Sequence, residues 1–238
     1  SLMIANDKIA LYKHLDKKGI SLPSFREVNT VKALNKAVFD LGYPKKQVVI
    51  KPGVSNGSRG VRILSEEIDQ YDLMFNYKPN HLYTNLSELN NILLNKPIPP
   101  MLVSEYLPGP ELTIDSIIDK DGEILTLLIR SRDKMNNGIS TAGRFIHSPE
   151  VEEYCSSILK SMNLFGPIGI QLKEVNNSFK VIEINPRIQG TSVAALGLGI
   201  NLPVLSISSL LGWKVDLSPN KSGIGFSRFY DEVYFAVD

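Results

Sequence analysis

The segment GIQLKEVNNSFKVIEINPR, Gly169 to Arg187, spaces a carboxylate and two amides as neighbouring strands would present them to one ligand. Strand alternation puts Glu183 and Asn185 on one face and Ile182 and Ile184 on the other. A three-residue loop centred on Asn177 sets Gln171 directly opposite Glu183, because both lie six residues from it. Opposed side chains in an antiparallel pair have Cβ atoms roughly 5 Å apart, so three oxygen donors converge within reach of one or two hard cations. Arg187 follows on the same face, where a guanidinium stabilises charge on a transferring phosphoryl group. The competing reading is a solvated polar face on a half-buried hairpin.

Two further segments point to phosphate and nucleotide. KPGVSNGSRGVRI, Lys51 to Ile63, places a lysine at a strand end and then a loop rich in Gly and Ser. Such a loop can aim backbone N–H groups and hydroxyls at phosphate oxygens while Lys51 supplies a point charge. It is no Walker A loop, because no Gly-Lys-Ser/Thr ends it. SEYLPGPELTID, Ser104 to Asp115, reads as a connector stiffened by Pro108 and Pro110, whose fixed backbone groups can read an adenine edge while Glu111 accepts from ribose hydroxyls.

The elements that position these residues follow from periodicity. Apolar residues at helical spacing between Asp7 and Lys18 predict an opening helix ended by Gly19, and Thr30 caps a second helix through Leu41, closed by Gly42. Gln47–Lys51 and Val61–Leu64 read as a hairpin around the glycine loop. Helices are expected from Ser65 to about Phe75 and, behind a Ser87 cap, to about Leu94. Pro97, Pro99 and Pro100 then mark an inter-lobe joint. Beyond it Met101–Tyr106, Glu111–Asp119, Ile124–Arg130 and Thr141–His147 are strand-like, with Asp121-Gly122 as a turn. Pro149–Met162 is an amphipathic helix, Pro167–Val175 and Phe179–Ile184 a second hairpin, and Asn201–Leu211 a closing helix capped by Gly212. The fold class is therefore α+β in two lobes, a small mixed one and a larger, mainly antiparallel sheet, with the ligand in the cleft between them.

Together with Asn6-Asp7-Lys8, these segments resemble the ATP-grasp superfamily over nearly the whole chain, in the order DK, KP with a GSRG loop, EYLPGPE, Gln171, and EINPR. The resemblance implies a two-lobed fold gripping Mg-ATP, with two magnesium ions and manganese able to substitute. It implies that Lys8 and Lys51 contact ATP, and that Ser55, Gly57, Ser58, Arg59 and Gly60 close over the phosphates. Glu105, Tyr106 and Leu107 line the adenine, Glu111 holds ribose and Ile182 packs on the base. Gln171, Glu183 and Asn185 bind the metal, and Arg187 touches the transferred phosphoryl group as the catalytic residue. The implied activity is a carboxylate-amine or carboxylate-thiol ligase working through an acylphosphate, with a small-molecule carboxylate and a nucleophile as substrates. Gln171 is similar to the residue of carbamoyl-phosphate synthase large subunits, although Gly190 stands where those usually have another arginine, which argues against carbamoyl phosphate as the product. The resemblance divides the chain into a helical lead-in at 1–23, a small lobe at 24–100 and a larger lobe at 101–238. The family's usual preceding Rossmann-like domain is expected to be missing or supplied by a partner subunit, and Ser1 and Leu2 ahead of Met3 to be foreign residues.

Composition narrows the other classes. The 238 residues, 43% of them hydrophobic, suffice for a large core. Lys and Arg total 26 against 25 Asp and Glu, for a formal charge of +1, which provides no broad basic field for nucleic acid. Cys155 is the single cysteine and no eighteen-residue apolar run occurs, so the expectation is a reducing, cytoplasmic setting without a membrane span. A kinase is disfavoured, since Lys51 precedes the glycine loop and no Asp-Phe-Gly occurs. A nucleotide-binding module without catalysis is the alternative. His14, His81 and His147 lack ligand spacing, and Cys155 and Trp213 read as packing residues. Arg130, Arg132 and Arg144 read as solvated strand arginines that could otherwise bind an anionic substrate.

Overall fold

Two helices, α1 (Leu2–Asn6) and α2 (Lys8–Lys17), open the chain. The second starts where Asp7 Oδ1 accepts from the N–H groups of Ile9 (2.8 Å) and Ala10 (3.2 Å). The computed structural model describes residues 1–55, 57–77, 82–136, 138–213 and 223–236, so the expectations resting on Asn56, His81 and Asn137 lie outside the described residues.

The first lobe contains β1 (Phe25–Val28), α3 (Val31–Asp40), β2 (Val48–Pro52), β3 (Arg62–Leu64), α4 (Gln70–Asn76), β4 (Tyr83–Thr84), α5 (Leu86–Leu93) and β5 (Met101–Glu105). Its strands form one sheet in the order β1-β5-β2-β3-β4. Val48 and Ile50 of β2 and Met101 and Val103 of β5 turn one way into a core with Leu34, Val38 and Leu89. Alternation therefore sends Lys51 and Leu102 the other way, toward the second sheet.

The second sheet runs β11-β10-β6-β7-β9-β12, built from β6 (Glu111–Ile118), β7 (Ile124–Ser131), β8 (Lys134–Asn136), β9 (Ile139–Ile146), β10 (Gly166–Val175), β11 (Ser178–Asn185) and β12 (Gly225–Ser227), with β8 paired to β9. Helix α6 (Pro149–Met162) closes one face together with α2, over Leu112, Ile114, Ile168, Ile170 and Leu172. The even-numbered positions of β6 and β10 are thus consumed by the core. Glu111, Thr113 and Asp115, with Gln171 and Lys173, occupy the opposite face. A 3₁₀ turn (Ser192–Leu198) and α7 (Leu202–Leu211) cover the far end of that face over Ile117.

The α+β class, the two sheets and the mainly antiparallel pairing agree with expectation. Three local expectations differ, and one strand had not been expected. Met101–Glu105, expected to open the larger sheet, lies between β1 and β2 in the smaller one. The helix expected from Ser65 starts at Gln70, because the Ser65 N–H is engaged by the Thr84 carbonyl and Asp69 supplies the cap. The next helix is capped by Asn85, whose side chain accepts from Glu88 N, in place of Ser87. Strand β1 is too short, with a single buried residue, to show alternation in the sequence.

The connector after β5 is pressed onto the second sheet. Glu174 N donates to the Pro110 carbonyl (3.0 Å), and a Cβ on Gly109 would stand 2.2 Å from the Glu174 carbonyl oxygen. Backbone cannot yield as a side-chain tip can. Gly109→Ala is therefore expected to cost about 1–3 kcal/mol, read as a lower urea midpoint at unchanged slope.

Candidate functional site

The site forms where three elements meet: the N-terminus of α2, the end of β2 and the cleft face of β11. Lys8 is the first residue of α2, and its N–H is fixed by the Gly53 carbonyl at 2.8 Å. Its ammonium donates to the Ser55 carbonyl (3.0 Å) and lies 3.7 Å from Glu183 Oε1. Lys51 reaches over from the small sheet and donates to the Ile182 carbonyl (3.1 Å) and to the Tyr12 hydroxyl (3.4 Å). Tyr12 in turn donates to the Val181 carbonyl at 3.1 Å.

The carbonyl that receives Lys51 is free because the strand pairing slips there. Asn176 and Asn177 both take positive φ, which makes a two-residue turn with Val175 opposite Ser178. That register would set Gln171 against Ile182. A bulge intervenes between the Leu172/Val181 and Gln171/Glu183 pairs and leaves Ile182 as the extra residue. Gln171 then stands opposite Glu183, as expected, although the loop is shorter than expected. The bulge also changes the phase of β11, so Val181 and Ile184 are both buried while Glu183 and Asn185 keep the cleft side.

Among the described residues no three His, Cys, Asp or Glu side chains gather into a metal cluster. The donor set at the register pair is one carboxylate with the amide oxygens of Gln171 and Asn185, a hard-oxygen set that suits Mg²⁺ sharing its shell with waters and phosphates. Arg187 leans back on this strand, donating to Asn185 Oδ1 (3.3 Å) and to the Ile188 carbonyl (3.1 Å).

The connector residues are engaged by cations. Glu105 Oε1 accepts from Lys180 Nζ (2.7 Å) and from Ser24 N (3.1 Å). Leu107 is buried and its carbonyl accepts from Lys173 Nζ (3.0 Å), which lies 5.2 Å from the centre of the Tyr106 ring. Glu111 is paired with Arg132. Burial raises its carboxyl pKa against the pull of Arg132 and Lys173. Arg132 also donates to the Gly138 carbonyl in the turn between β8 and β9. In the glycine loop Gly57, Ser58 and Gly60 adopt positive φ, the backbone form from which turns present N–H groups to anions. Ser58 Oγ lies 3.8 Å from where a Cβ on Gly138 would be, so the two tips face each other.

Several residues here were not read from the sequence. Tyr12, four residues after Lys8 on the same helical face, and Lys173, two after Gln171 on the same strand face, were open to detection by spacing alone. The solvated reading of the arginines is corrected for two of them. Arg130 is 1% exposed and held by Asp115 at 2.8 Å, and the side chain of Arg132 is 5% exposed against Glu111, whereas Arg144 stays exposed beside Asp133. Asp115 also accepts from Gln189 and Ser192, which ties the chain beyond Arg187 to the sheet. Cys155 is packed in the core, where burial pushes its thiol up to about 12. A cavity of about 710 Å³ bounded by Ser24, Arg26, Lys46, Gln47, Glu105 and Tyr106 borders the connector but contains none of Lys8, Lys51, Gln171 or Glu183.

A family model described as ATP-grasp in the biosynthetic pathway with Ter operon matches residues 97–229. The chain belongs to the ATP-grasp family. It is similar to the carbamoyl phosphate synthase large chain of Agathobacter rectalis, 23% identical over 274 aligned positions that take in 97% of this chain and 24% of that one. The corresponding protein of Lachnoclostridium phytofermentans is 27% identical over 221 positions, 89% of this chain and 19% of that one. The chain thus spans about a quarter or less of these curated relatives. Among solved structures, the N5-carboxyaminoimidazole synthase of Aspergillus clavatus in complex with ADP and 5-aminoimidazole ribonucleotide superposes with a TM-score of 0.70 at 16% identity, covering 92% of this chain and 54% of that one. Biotin carboxylase of Campylobacter jejuni gives 0.62 at 17% identity, with 90% and 47% covered. These neighbours share the ATP-grasp fold.

Burial lowers the Lys51 ammonium to about 8, with the Lys8 charge adding to the effect and Glu183 and Glu111 opposing it. In the unfolded chain the same group titrates near 10.4. Below pH 8 both states are charged and the folded state bears the whole cost. Between about 8 and 10 the unfolded state holds more protons, so stability rises with pH. The stability of the wild type relative to Lys51→Met is expected to climb by on the order of 2 kcal/mol across that window, measured by urea unfolding at each pH. A flat difference would refute the buried ammonium.

Proposed function

We propose that this chain binds Mg-ATP between its two sheets and acts as an ATP-dependent ligase joining a small-molecule carboxylate to an amine or thiol. The observation that carries this reading is the meeting of Lys8 with Glu183, whose strand partner is Gln171, and of Lys51 with the adjacent Ile182 carbonyl. Two cations and a hard-oxygen donor set within one cleft suit a polyphosphate and its metal. ATP-grasp family members are ligases that form C–N bonds, and the names of the relatives, carbamoyl phosphate synthase and N5-carboxyaminoimidazole ribonucleotide synthetase, fit that chemistry.

In this reading Lys8 and Lys51 bind phosphate oxygens, and the loop from Ser55 to Gly60 closes over them and excludes water. Glu105, Tyr106 and Leu107 line the base from the connector side, Ile182 packs on it from the bulge, and Glu111 holds ribose while Arg132 orients its carboxylate. Gln171, Glu183 and Asn185 would hold Mg²⁺, which when bound neutralises charge on the phosphate oxygens. Arg187 swings from Asn185 to the γ-phosphoryl group as a substrate carboxylate oxygen attacks phosphorus and the ADP oxygen leaves. The nucleophile then attacks the acyl carbon of the acylphosphate and expels phosphate. Phosphoryl transfer asks the protein mainly for positioning and charge neutralisation, which these residues supply. We place the lobe boundary behind β5 and infer a reducing, cytoplasmic setting from the lone buried Cys155.

The test is a thermal-shift titration with Mg-ATP and with ATP plus chelator. A magnesium-dependent rise in Tm in the wild type, lost in Glu183→Ala, is expected. Absence of any rise in the wild type would overturn the nucleotide site. Because the chain spans only part of its relatives, the second reading is a module that binds nucleotide without turnover. Phosphate release that no carboxylate and amine pair stimulates, in a chain that binds Mg-ATP, would favour it.

A further inference from the structure

Helix α7 is apolar on the wrong side. Its inward face carries Leu202 and Leu205 but also Ser206 and Ser208, and the Ser209 hydroxyl is buried with no hydrogen-bond partner. Val204, Ile207, Leu210 and Leu211 are each more than half exposed, and at i, i+3, i+6 and i+7 they form one stripe. The helix contains no charged residue. The preceding turn adds exposed Val193 and Leu196, and Trp213 follows beyond the Gly212 cap. Folded chains that work alone rarely leave so many apolar side chains of neighbouring elements in water.

We propose that this stripe is the contact between two copies of the chain, α7 of one lying against α7 of the other across a two-fold axis. With roughly 100 Å² for each of these seven half-exposed side chains, the patch offers about 700 Å², close to the ~800 Å² each partner contributes to a stable pair. A stripe without charge can meet itself with no like charges opposed, which a two-fold contact requires because every residue faces the same surface. A lipid surface fits less well. Interfacial helices carry Lys and Arg on the polar face, whereas neither α7 nor the preceding turn contains one, and the polar face of α7 is turned inward. The contact is independent of the nucleotide reading, since none of these residues belongs to the site.

Sedimentation equilibrium of the full chain is expected to give twice the 26.4 kDa chain mass. Ile207→Lys combined with Leu211→Lys is expected to give the single-chain mass with unchanged far-ultraviolet dichroism. If the double variant is insoluble, Ile207→Cys treated with a short bis-maleimide provides a second readout. A covalent dimer is expected, and none from the wild type, whose one cysteine is buried. A wild type at 26.4 kDa throughout, a dimer that survives the double variant, or an uncross-linked Ile207→Cys would each overturn the proposal. Flotation of a single-chain wild type with lipid vesicles would assign the stripe to a membrane surface instead.

Discussion

Two ammonium groups buried next to each other, Lys8 and Lys51, are the constraint around which the junction of the two sheets is built. Both are at most 7% exposed. An ammonium taken out of water without partners costs several kcal/mol. The fold supplies oxygens in compensation: the loop carbonyl of Ser55, the bulge carbonyl of Ile182, the Tyr12 hydroxyl and the Glu183 carboxylate. Glu183 and Glu111 both oppose the positive charge on Lys51.

Each partner is available for a local reason. Asp7 caps α2 and so fixes the direction in which Lys8 leaves the helix. Pairing of β2 with β5 leaves Lys51 on the side opposite the Val48–Ile50 core. The bulge in β11 releases one carbonyl from the ladder and, through the same slip, keeps Glu183 and Asn185 on the cleft face. One irregularity in strand pairing therefore provides both the acceptor for Lys51 and the register of Gln171 with Glu183.

Behind the site the sheet is stiffened by buried charge. Asp115 joins Arg130 of β7 to Gln189 and Ser192, so the chain leaving β11 past Arg187 is fastened to β6 and β7. Glu111 and Arg132 perform the same service at the connector, and through Gly138 they reach the turn that faces the glycine loop. Arg130 and Arg132 each retain one buried nitrogen with no hydrogen-bond partner, at NH1 and Nε respectively. Apolar side chains of similar volume would fill the same space at less desolvation cost.

The sequence by itself determined the helices with strong caps, the α+β order, and the residue types that would meet, because capping, alternation and turn chemistry act over a few neighbouring residues. Thr30, Asn201 and Gly212 mark their helix ends where expected. The opposition of Gln171 and Glu183 was also legible, but through an assumed three-residue loop. The actual two-residue turn would have broken it, and only the bulge, favoured by burying Val181 and Ile184 together against α2 and α6, restored it. The membership of β5 in the smaller sheet, the burial of the Arg130 and Arg132 side chains, and the approach of Lys51 to Ile182 were likewise decided by tertiary structure. Each depends on which strand lies beside which, and that is settled by contacts between residues tens to more than a hundred positions apart, beyond the reach of any local pattern.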